Sequence, residues 1–280
     1  MYPSSFEYHR AGSVQQALEL MAQYGDDAKL LAGGHSLLPV MKLRFAAPGH
    51  LIDIGRIPGL SGITESGGTI TIGATTRHAD VAASPVLRAK APNIAEAASH
   101  IGDPLVRNMG TIGGSLAHAD PAADLPATIV AANASIVLTS AKGSRTVPAD
   151  DFFVDVFQTA ITSGEMITAI TVPAVAAGTG CAYEQAEDPA SGYALVGVAV
   201  QVTRSGGSVT AARAAMTGLT PRATRLAGVE AALLGGLSIE AAASKAADGL
   251  MMVDDAAGSA AYKANLATVY TRRALARAMA

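Results

Sequence analysis

Apolar residues recur at helical spacing near the start of the chain. Residues 14–21 place an apolar side chain every three or four positions, which predicts an amphipathic helix. Ser13 and Gln16 form a capping-box pattern at its start, and Gly25 is placed to end it. Two strand-like segments then complete a βαβ-like unit of roughly 50 residues: Ala28–Leu31 and His50–Ile54.

The middle of the chain alternates the same two patterns. Thr76 is placed to cap a short helix that ends at Ala83. Pro85 suits the first turn of the next helix, which is predicted to continue to His100. Residues 102–126 show neither period and predict a long loop rich in glycine, aspartate and proline. Three strands are predicted in this part: Thr69–Ile72, Ser135–Thr139 and Met166–Val172.

The last hundred residues begin with a segment of small residues, 173–180, which predicts a flexible linker. Gly206 and Gly207 then join two alternating segments, Ala194–Thr203 and Ser208–Met216, into a predicted hairpin. Helical periodicity returns three times after the hairpin: Ala223–Leu234, Ile239–Leu250 and Ala260–Met279. This order of elements predicts an α+β fold with three compact subdomains.

Charge and composition narrow the class of protein. The chain has 280 residues, with 20 Lys and Arg against 23 Asp and Glu, a formal net charge of −3. Nothing here indicates a nucleic-acid partner or an anionic membrane surface. Residues 1–10 lack the apolar core of a secretory signal, and the longest apolar run, 193–202, is too short for a membrane helix. We therefore expect a cytoplasmic protein without a transmembrane segment.

The chain has a single cysteine, Cys181. It cannot form a disulfide within the chain, and it cannot ligate an iron–sulfur cluster, which needs about four such ligands. No nucleophile motif surrounds it, so we expect a small residue that is buried or lies at an edge. The six histidines show no i,i+4 pairing, so a metal could bind only where distant residues converge, and we expect no metal site.

The first candidate site is a glycine pair that directly follows a predicted strand. Two glycines at this place allow backbone N–H groups to approach a ligand closely, and a run of such donors can bind an anion such as a diphosphate. A plain strand-to-turn connection would have the same appearance. The candidate residues are Leu30, Leu31, Ala32, Gly33, Gly34, His35, Ser36 and Leu37.

The second candidate site has the same design, with a hydroxyl on each side of a glycine pair. It lies inside the predicted loop 102–126, and loops of that length in compact domains are usually functional. Asp124 in this loop could accept hydrogen bonds from polyol hydroxyls, or it could cap the helix that follows. Neither glycine pair is a nicotinamide-type Gly-x-Gly-x-x-Gly or a P-loop. The candidate residues are Thr111, Ile112, Gly113, Gly114 and Ser115.

Together the two glycine segments resemble the flavin motifs of the medium subunits of molybdenum hydroxylases, the xanthine dehydrogenase family. The likeness is strongest to the medium subunits of aerobic, molybdenum-type carbon monoxide dehydrogenases, and it extends along nearly the whole chain. The residues that carry it are 32–37 with Pro39, Met41 and Lys42, 109–115, 120–126, 6–8, 183–184, Tyr262 and 271–274.

The resemblance implies a fold and a cofactor. Residues 1–175 would form an FAD-binding domain of the type shared with vanillyl-alcohol oxidase and p-cresol methylhydroxylase, in two α/β subdomains at about 1–56 and 57–175. Residues 176–280 would form the family's C-terminal domain, an antiparallel sheet with helices, similar to the carbon monoxide dehydrogenase flavoprotein.

The resemblance also implies roles for single residues. Residues 30–37 would hold the FAD diphosphate, and residues 111–115 would contact the diphosphate and ribityl chain from the other side, with Asp124 on flavin or ribityl polar atoms. Ile101 and Ile167 match positions that flank the adenine. Tyr193 matches a tyrosine beside the isoalloxazine ring; the alternative is that it is simply the first residue of a strand. Two departures from the family pattern are Ser115, where many members have Asn, and Gln185, where several have Lys.

The function implied is electron transfer within a complex. A large molybdenum-cofactor subunit would oxidise the substrate, and a small subunit with two [2Fe–2S] clusters would pass electrons to FAD on this chain. The acceptor would be a quinone, NAD or oxygen, and the assembly a dimer of heterotrimers, cytoplasmic or held peripherally at the inner membrane. Xanthine, aldehyde or N-heterocycle dehydrogenases remain alternatives. A stand-alone flavin oxidoreductase and a nucleotide-binding regulatory protein without redox chemistry are two further classes.

Overall fold

A three-stranded parallel sheet begins the fold. The computed structural model describes residues 2–256 and 258–280, and the strand order of this first sheet is β1-β3-β2. Its βαβ arrangement confirms the predicted helix and both predicted strands to within one residue, while β1 and α2 were not predicted. The elements are β1 (Glu7–Arg10), α1 (Val14–Tyr24), a 3₁₀ turn (Gly25–Asp27), β2 (Ala28–Leu31), α2 (Leu37–Lys42) and β3 (His50–Asp53).

Helix α1 shows how local chemistry fixes an element. Ser13 Oγ accepts a hydrogen bond from the Gln16 amide at 3.1 Å, as the capping-box pattern predicts. The Gln16 side chain, however, accepts from the Gly12 amide at 2.7 Å and not from that of Ser13. Gly25 ends the helix at a φ of 54°, a conformation that glycine adopts without the steric cost of a side chain.

A five-stranded antiparallel sheet and seven helices form the middle of the fold. The strand order is β4-β5-β10-β6-β7, and the predicted strands of this region are confirmed. The elements are β4 (Ile63–Ser66), β5 (Thr69–Gly73), α3 (His78–Ala83), α4 (Pro85–Lys90), α5 (Pro92–His100), α6 (Pro104–Met109), α7 (Ile112–His118), α8 (Asp124–Ala131), β6 (Ser135–Ser140), β7 (Gly143–Pro148), α9 (Ala149–Phe152), β8 (Phe153–Asp155), β9 (Gln158–Thr159) and β10 (Met166–Pro173).

Three predictions for this region are wrong. The helix predicted from Pro85 to His100 is broken at Ala91, because Pro92 starts a new helix and cannot donate a backbone hydrogen bond. Thr76 caps no helix, since its hydroxyl bonds the backbone of Gly62 instead. Residues 102–126 are not a bare loop but contain α6, α7 and the start of α8.

The C-terminal part is a four-stranded antiparallel sheet with three helices, in the order β11-β12-β13-β14. The predicted hairpin is confirmed, while β11 was not predicted. Two predicted helices were too long: the first begins at Ala227, because the preceding residues form β14, and the second ends at Ala243. The elements are β11 (Thr179–Glu187), β12 (Ala194–Ser205), β13 (Ser208–Thr217), β14 (Thr224–Arg225), α10 (Ala227–Leu234), α11 (Ile239–Ala243) and α12 (Ala260–Ala278).

Buried apolar side chains form three clusters. One lies between α1 and the three-stranded sheet, one between the five-stranded sheet and its helices, and one between the C-terminal sheet and α10–α12. The second cluster also takes in Tyr183, Ala199 and Ala215 from the C-terminal sheet. One face of that sheet is therefore packed on the middle of the fold. No helix in the described residues is long and apolar enough to span a bilayer.

Candidate functional site

A cavity of about 830 Å³ is lined by residues from the three-stranded sheet, the middle of the fold and the loop before β12. Its size suits a large organic ligand. Fifteen of the seventeen residues predicted from the sequence line it: Leu30, Ala32, Gly33, Gly34, His35, Ser36, Leu37, Ile101, Thr111, Gly113, Gly114, Ser115, Asp124, Ile167 and Tyr193.

The other two predicted residues do not line this cavity. Leu31 is the last residue of β2, and its carbonyl accepts a hydrogen bond from the Ile54 amide at 2.9 Å. Ile112 is completely buried in the core under the second glycine segment. Both therefore hold neighbouring residues in place rather than facing a ligand.

The first glycine segment connects β2 to α2 and presents unused backbone donors. Within the described part of the chain, no acceptor receives a hydrogen bond from the backbone amides of residues 33–36. Gly34 has a φ of 76° and Ser36 a right-handed helical conformation, which turns successive amides in a way that is typical of anion-binding loops. This segment can therefore hold a diphosphate through its backbone.

Gly33 also has a structural reason to lack a side chain. A Cβ at this position would lie 2.2 Å from the Met109 carbonyl oxygen and 2.7 Å from the Gly110 Cα. Both are backbone atoms, which cannot swing aside. The first glycine segment thus crosses the end of α6 in direct contact, and this crossing brings the two candidate segments together.

The second glycine segment differs from the first in its backbone. The amide of Ile112 donates to the Thr76 carbonyl at 3.0 Å, and that of Gly113 to the Ala74 carbonyl at 2.8 Å. The Gly114 amide donates to Thr111 Oγ1 at 3.2 Å. Because the protein already uses these donors, a ligand would meet the hydroxyls of this segment rather than a second set of free amides.

Asp124 is the first residue of α8 and only 4% exposed. It is not the helix cap, since Ala123 occupies that position, so the capping alternative is wrong. Tyr183 donates its phenolic hydrogen to Asp124 Oδ1 at 2.5 Å. Burial raises the pKa of the Asp124 carboxyl to about 7, although the hydrogen bond from Tyr183 opposes this effect.

Tyr183 is fixed by contacts that join three elements. Its amide donates to Glu96 Oε2 of α5 at 2.8 Å. Arg277 of α12 donates to the Tyr183 carbonyl at 3.1 Å and pairs with both Glu96 and Glu184. The C-terminal sheet is thereby anchored where its tyrosine meets Asp124. Gln185 lies 3.1 Å from the same phenol oxygen and is not among the cavity-lining residues.

Thr75 and His78 also line the cavity, although neither was predicted from the sequence. Thr75 and His78 are each 5% exposed, and Thr75 Oγ1 and His78 Nδ1 have no hydrogen-bond partner. Burial lowers the pKa of His78 to about 4, with a smaller contribution from His35, so the ring is neutral at pH 7. Unpaired buried polar atoms are costly, and here they indicate a polar ligand. The only available sequence clue was their place just after strand β5.

Comparison with protein-family models accounts for both halves of the chain. Residues 4–175 match the FAD binding domain in molybdopterin dehydrogenase. The chain belongs to this family. Residues 181–278 match the CO dehydrogenase flavoprotein C-terminal domain. The chain is therefore a medium, FAD-binding subunit of the molybdenum hydroxylase family, and the expected α+β fold and FAD cofactor are confirmed.

Individual relatives resemble this flavoprotein along their full length. The carbon monoxide dehydrogenase medium chain of Hydrogenophaga pseudoflava is 47% identical over 98% of this chain and 97% of that protein. The 6-hydroxypseudooxynicotine dehydrogenase complex subunit alpha of Paenarthrobacter nicotinovorans is 41% identical over 100% and 96%. A solved carbon monoxide dehydrogenase from H. pseudoflava that lacks the Mo-pyranopterin moiety gives a TM-score of 0.96 at 49% identity, covering 99% of this chain and 98% of its own.

The residues of the cavity fit FAD. Free amides at 33–36 suit its diphosphate, and the unpaired atoms of Thr75 and His78 suit its polar groups. Ile101 and Ile167 supply apolar lining, and Tyr193, 47% exposed, lies just before β12 rather than in a strand.

Thr75 and Thr76 allow a test of this fit with two adjacent and chemically identical changes. We expect Thr75→Val to weaken FAD binding by about tenfold, because a hydroxyl unpaired in the protein is removed. The stability of the FAD-free protein should be unchanged or higher. Thr76→Val should instead destabilise the fold by roughly 1–3 kcal/mol, since its hydroxyl is bonded to Gly62.

The measurements are FAD titration of the FAD-free protein and urea unfolding of each variant. Equal FAD affinity in Thr75→Val and wild type would show that the Thr75 hydroxyl does not meet the cofactor.

Proposed function

We propose that this chain is the FAD-carrying electron-transfer subunit of a complex similar to carbon monoxide dehydrogenase. A large molybdenum-cofactor subunit oxidises the substrate, and a small subunit carries two [2Fe–2S] clusters between it and this chain. An external quinone, NAD or oxygen is the final acceptor, and the assembly is a dimer of heterotrimers. The observation that carries the proposal is the full-length match, across both domains, to a carbon monoxide dehydrogenase medium chain.

The cysteine content supports this division of labour. Cys181 is the one cysteine of the chain, and burial raises its thiol pKa to about 12. A partly buried thiol with so high a pKa is a poor ligand and a poor nucleophile. The iron–sulfur clusters of such a complex would therefore be ligated by another subunit.

We assign the following roles to the cavity residues. Residues 30–37 hold the diphosphate, chiefly through the amides of 33–36, while the hydroxyls of Thr111 and Ser115 contact the diphosphate and ribityl chain. Asp124 bonds flavin or ribityl polar atoms. The remaining assignments are the adenine neighbours Ile101 and Ile167, the ring neighbour Tyr193, and the small or supporting residues Ile112, Gly113 and Gly114. The domain division proposed is 1–175 and 176–280.

Bound FAD supplies the capacity to accept electrons singly and release them singly or in pairs. The chain's own residues bind and orient it. Amides at 33–36 offset the diphosphate charge. His78 stays neutral at pH 7, so it can accept or donate one hydrogen bond without adding charge. Asp124, with a pKa of about 7, can hold or release a proton at Oδ2 or Oδ1 near the ligand.

The proposal is tested on the native complex. We expect the chain to co-purify with one large molybdenum subunit and one small iron–sulfur subunit, and carbon monoxide to bleach the flavin absorbance within the complex. The FAD-loaded chain alone should not be reduced by carbon monoxide. Bleaching by a purine, an aldehyde or an N-heterocycle instead would replace the carbon monoxide assignment. Substrate turnover by the isolated chain would favour a stand-alone flavin oxidoreductase.

A further inference from the structure

Three potential metal ligands meet at the N-terminal end of the three-stranded sheet. His9 Nε2 lies 3.0 Å from His50 Nδ1, and a Glu7 carboxylate oxygen lies 3.8 Å from the first nitrogen and 3.6 Å from the second. Among the described residues, this is the group of His, Cys, Asp and Glu whose ligand atoms converge within 4.8 Å. None of the three lines the FAD cavity.

The sheet register produces this convergence. Glu7 on β1 pairs directly with His50 on the adjacent parallel strand β3. His9 follows Glu7 by two positions, so both side chains lie on the same face of the strand. The sequence separation of 41 residues between the histidines explains why no local metal-binding spacing is visible in the sequence.

The distances allow one metal ion to be shared by all three groups, and the two imidazole nitrogens are also within hydrogen-bonding range of each other. Both separations from the Glu7 oxygen exceed hydrogen-bonding range. The triangle with sides of 3.0, 3.6 and 3.8 Å has a point about 2.0 Å from all three atoms, which equals the usual length of zinc–nitrogen and zinc–oxygen bonds. An ion at that point would contact all three ligands with little movement of the side chains.

Neighbouring side chains hold the imidazoles in place. The Tyr24 ring stacks on His50 with 3.7 Å between ring centroids, and it also stacks on His9 at 4.8 Å. Asp27 Oδ2 lies 4.0 Å from His50 Nε2, and its other oxygen accepts the Gly49 amide at 2.8 Å. A carboxylate near Nε2 of His50 favours the tautomer that carries its proton on Nε2. In that tautomer Nδ1 is unprotonated and can bind a metal.

We propose that His9 Nε2, His50 Nδ1 and Glu7 form a binding site for a divalent transition-metal ion of the zinc class. Two nearby carboxylates, Glu7 and Asp27, balance the charge of such an ion. The exposure of the Glu7 side chain, 72%, leaves room for water at the remaining coordination positions. Bound metal would tie β1 to β3 and stabilise the N-terminal part of the FAD-binding domain.

Metal titration tests the site directly. Tag-free, full-length protein loaded with FAD is stripped with a chelator and titrated with zinc chloride by calorimetry, with metal content measured after gel filtration. We expect one zinc per chain with a Kd of about 10 µM or tighter. His9→Ala and His50→Ala should each weaken binding at least tenfold, and His100→Ala, an exposed histidine outside the group, should leave it unchanged.

A second set of measurements does not depend on the histidine variants folding well. Glu7→Gln alters an exposed side chain and should also weaken binding by about tenfold. Cobalt(II) in place of zinc should give the visible spectrum of a nitrogen- and oxygen-ligated ion, and saturating zinc should raise the Tm of wild type by about 5 °C. Absence of saturable binding below about 100 µM zinc, or binding that survives both His50→Ala and Glu7→Gln, would overturn the proposal.

Discussion

Replacing Gly33 with alanine should abolish FAD binding while leaving the secondary structure largely intact. The added methyl group would lie 2.2 Å from the Met109 carbonyl oxygen and 2.7 Å from Gly110 Cα. Neither atom can move without shifting a backbone segment, so the two glycine segments must separate. The donors at 33–36 would then lose their position, and we expect FAD affinity to fall by at least ~100-fold, about 2.7 kcal/mol. Flavin absorbance of the purified variant and FAD titration measure this loss.

Two further glycines serve as matched controls. A methyl group at Gly114 would meet only the Thr111 hydroxyl, at 2.8 Å, and that side chain can rotate away. Because the rotation would break the helix cap made by Thr111, Gly114→Ala should lower the free energy of unfolding by roughly 1 kcal/mol. Gly12→Ala would meet only the Gln16 side chain at an ordinary 3.5 Å and should bind FAD normally. If Gly33→Ala retains full flavin content, the contact between the segments is not what positions the diphosphate donors.

Local patterns in the sequence were sufficient for some elements and not for others. Helix α1 was predictable because Ser13 and Gly25 mark both ends and its apolar spacing is regular. Helices α6 and α7 were missed because each has only six or seven residues, too few for a period to show. The starts of these helices are instead determined by single side chains, Asp103 and Thr111, which accept hydrogen bonds from amides of the first turn.

The candidate site, too, was predictable from the sequence only where local patterns determine it. The glycine segments were recognisable because their chemistry is contiguous in the sequence. Long-range contacts determine the rest: Gly33 against Met109, Asp124 against Tyr183, and Glu7 against His50. From the sequence, the only reason to expect glycine at these positions is that it leaves space for the ligand. The structure adds a second reason, the close approach of two backbones at Gly33. Because this second reason applies to Gly33 and not to Gly114, a side chain at Gly33 should be the more damaging of the two.

We expect Asp124→Asn to change how the stability of the FAD-free protein depends on pH. Burial raises the pKa of Asp124 to about 7 in the folded protein, above its ordinary value of 3.8. Between these values the folded protein holds a proton that the unfolded chain has released. Stability from this residue is therefore greatest at low pH and is lost as pH rises through that window, by roughly 4 kcal/mol in total. Asparagine cannot ionise, so this loss disappears in the variant.

Urea unfolding of both proteins from pH 4 to pH 8 measures the effect as a difference. At pH 4 the Asp124→Asn variant and wild type should have about the same free energy of unfolding. As the pH rises to 8, wild type should lose several kcal/mol that the variant keeps, so the variant should then be the more stable protein. Asp151→Asn makes the same chemical change at an exposed position and is the matched control. The comparison isolates Asp124, because every other titrating group is present in both proteins.

Tyr183→Phe gives the experiment a second, directional readout. The hydrogen bond from the Tyr183 hydroxyl lowers the pKa of Asp124 and so opposes the effect of burial. Without that hydroxyl the carboxyl should ionise at higher pH, and the window in which stability is lost should shift upward. Asp124→Asn in the Tyr183→Phe background should remove the window altogether. A stability difference that stays constant from pH 4 to pH 8 would mean that Asp124 ionises normally, and its proton could not then respond to the state of the bound flavin.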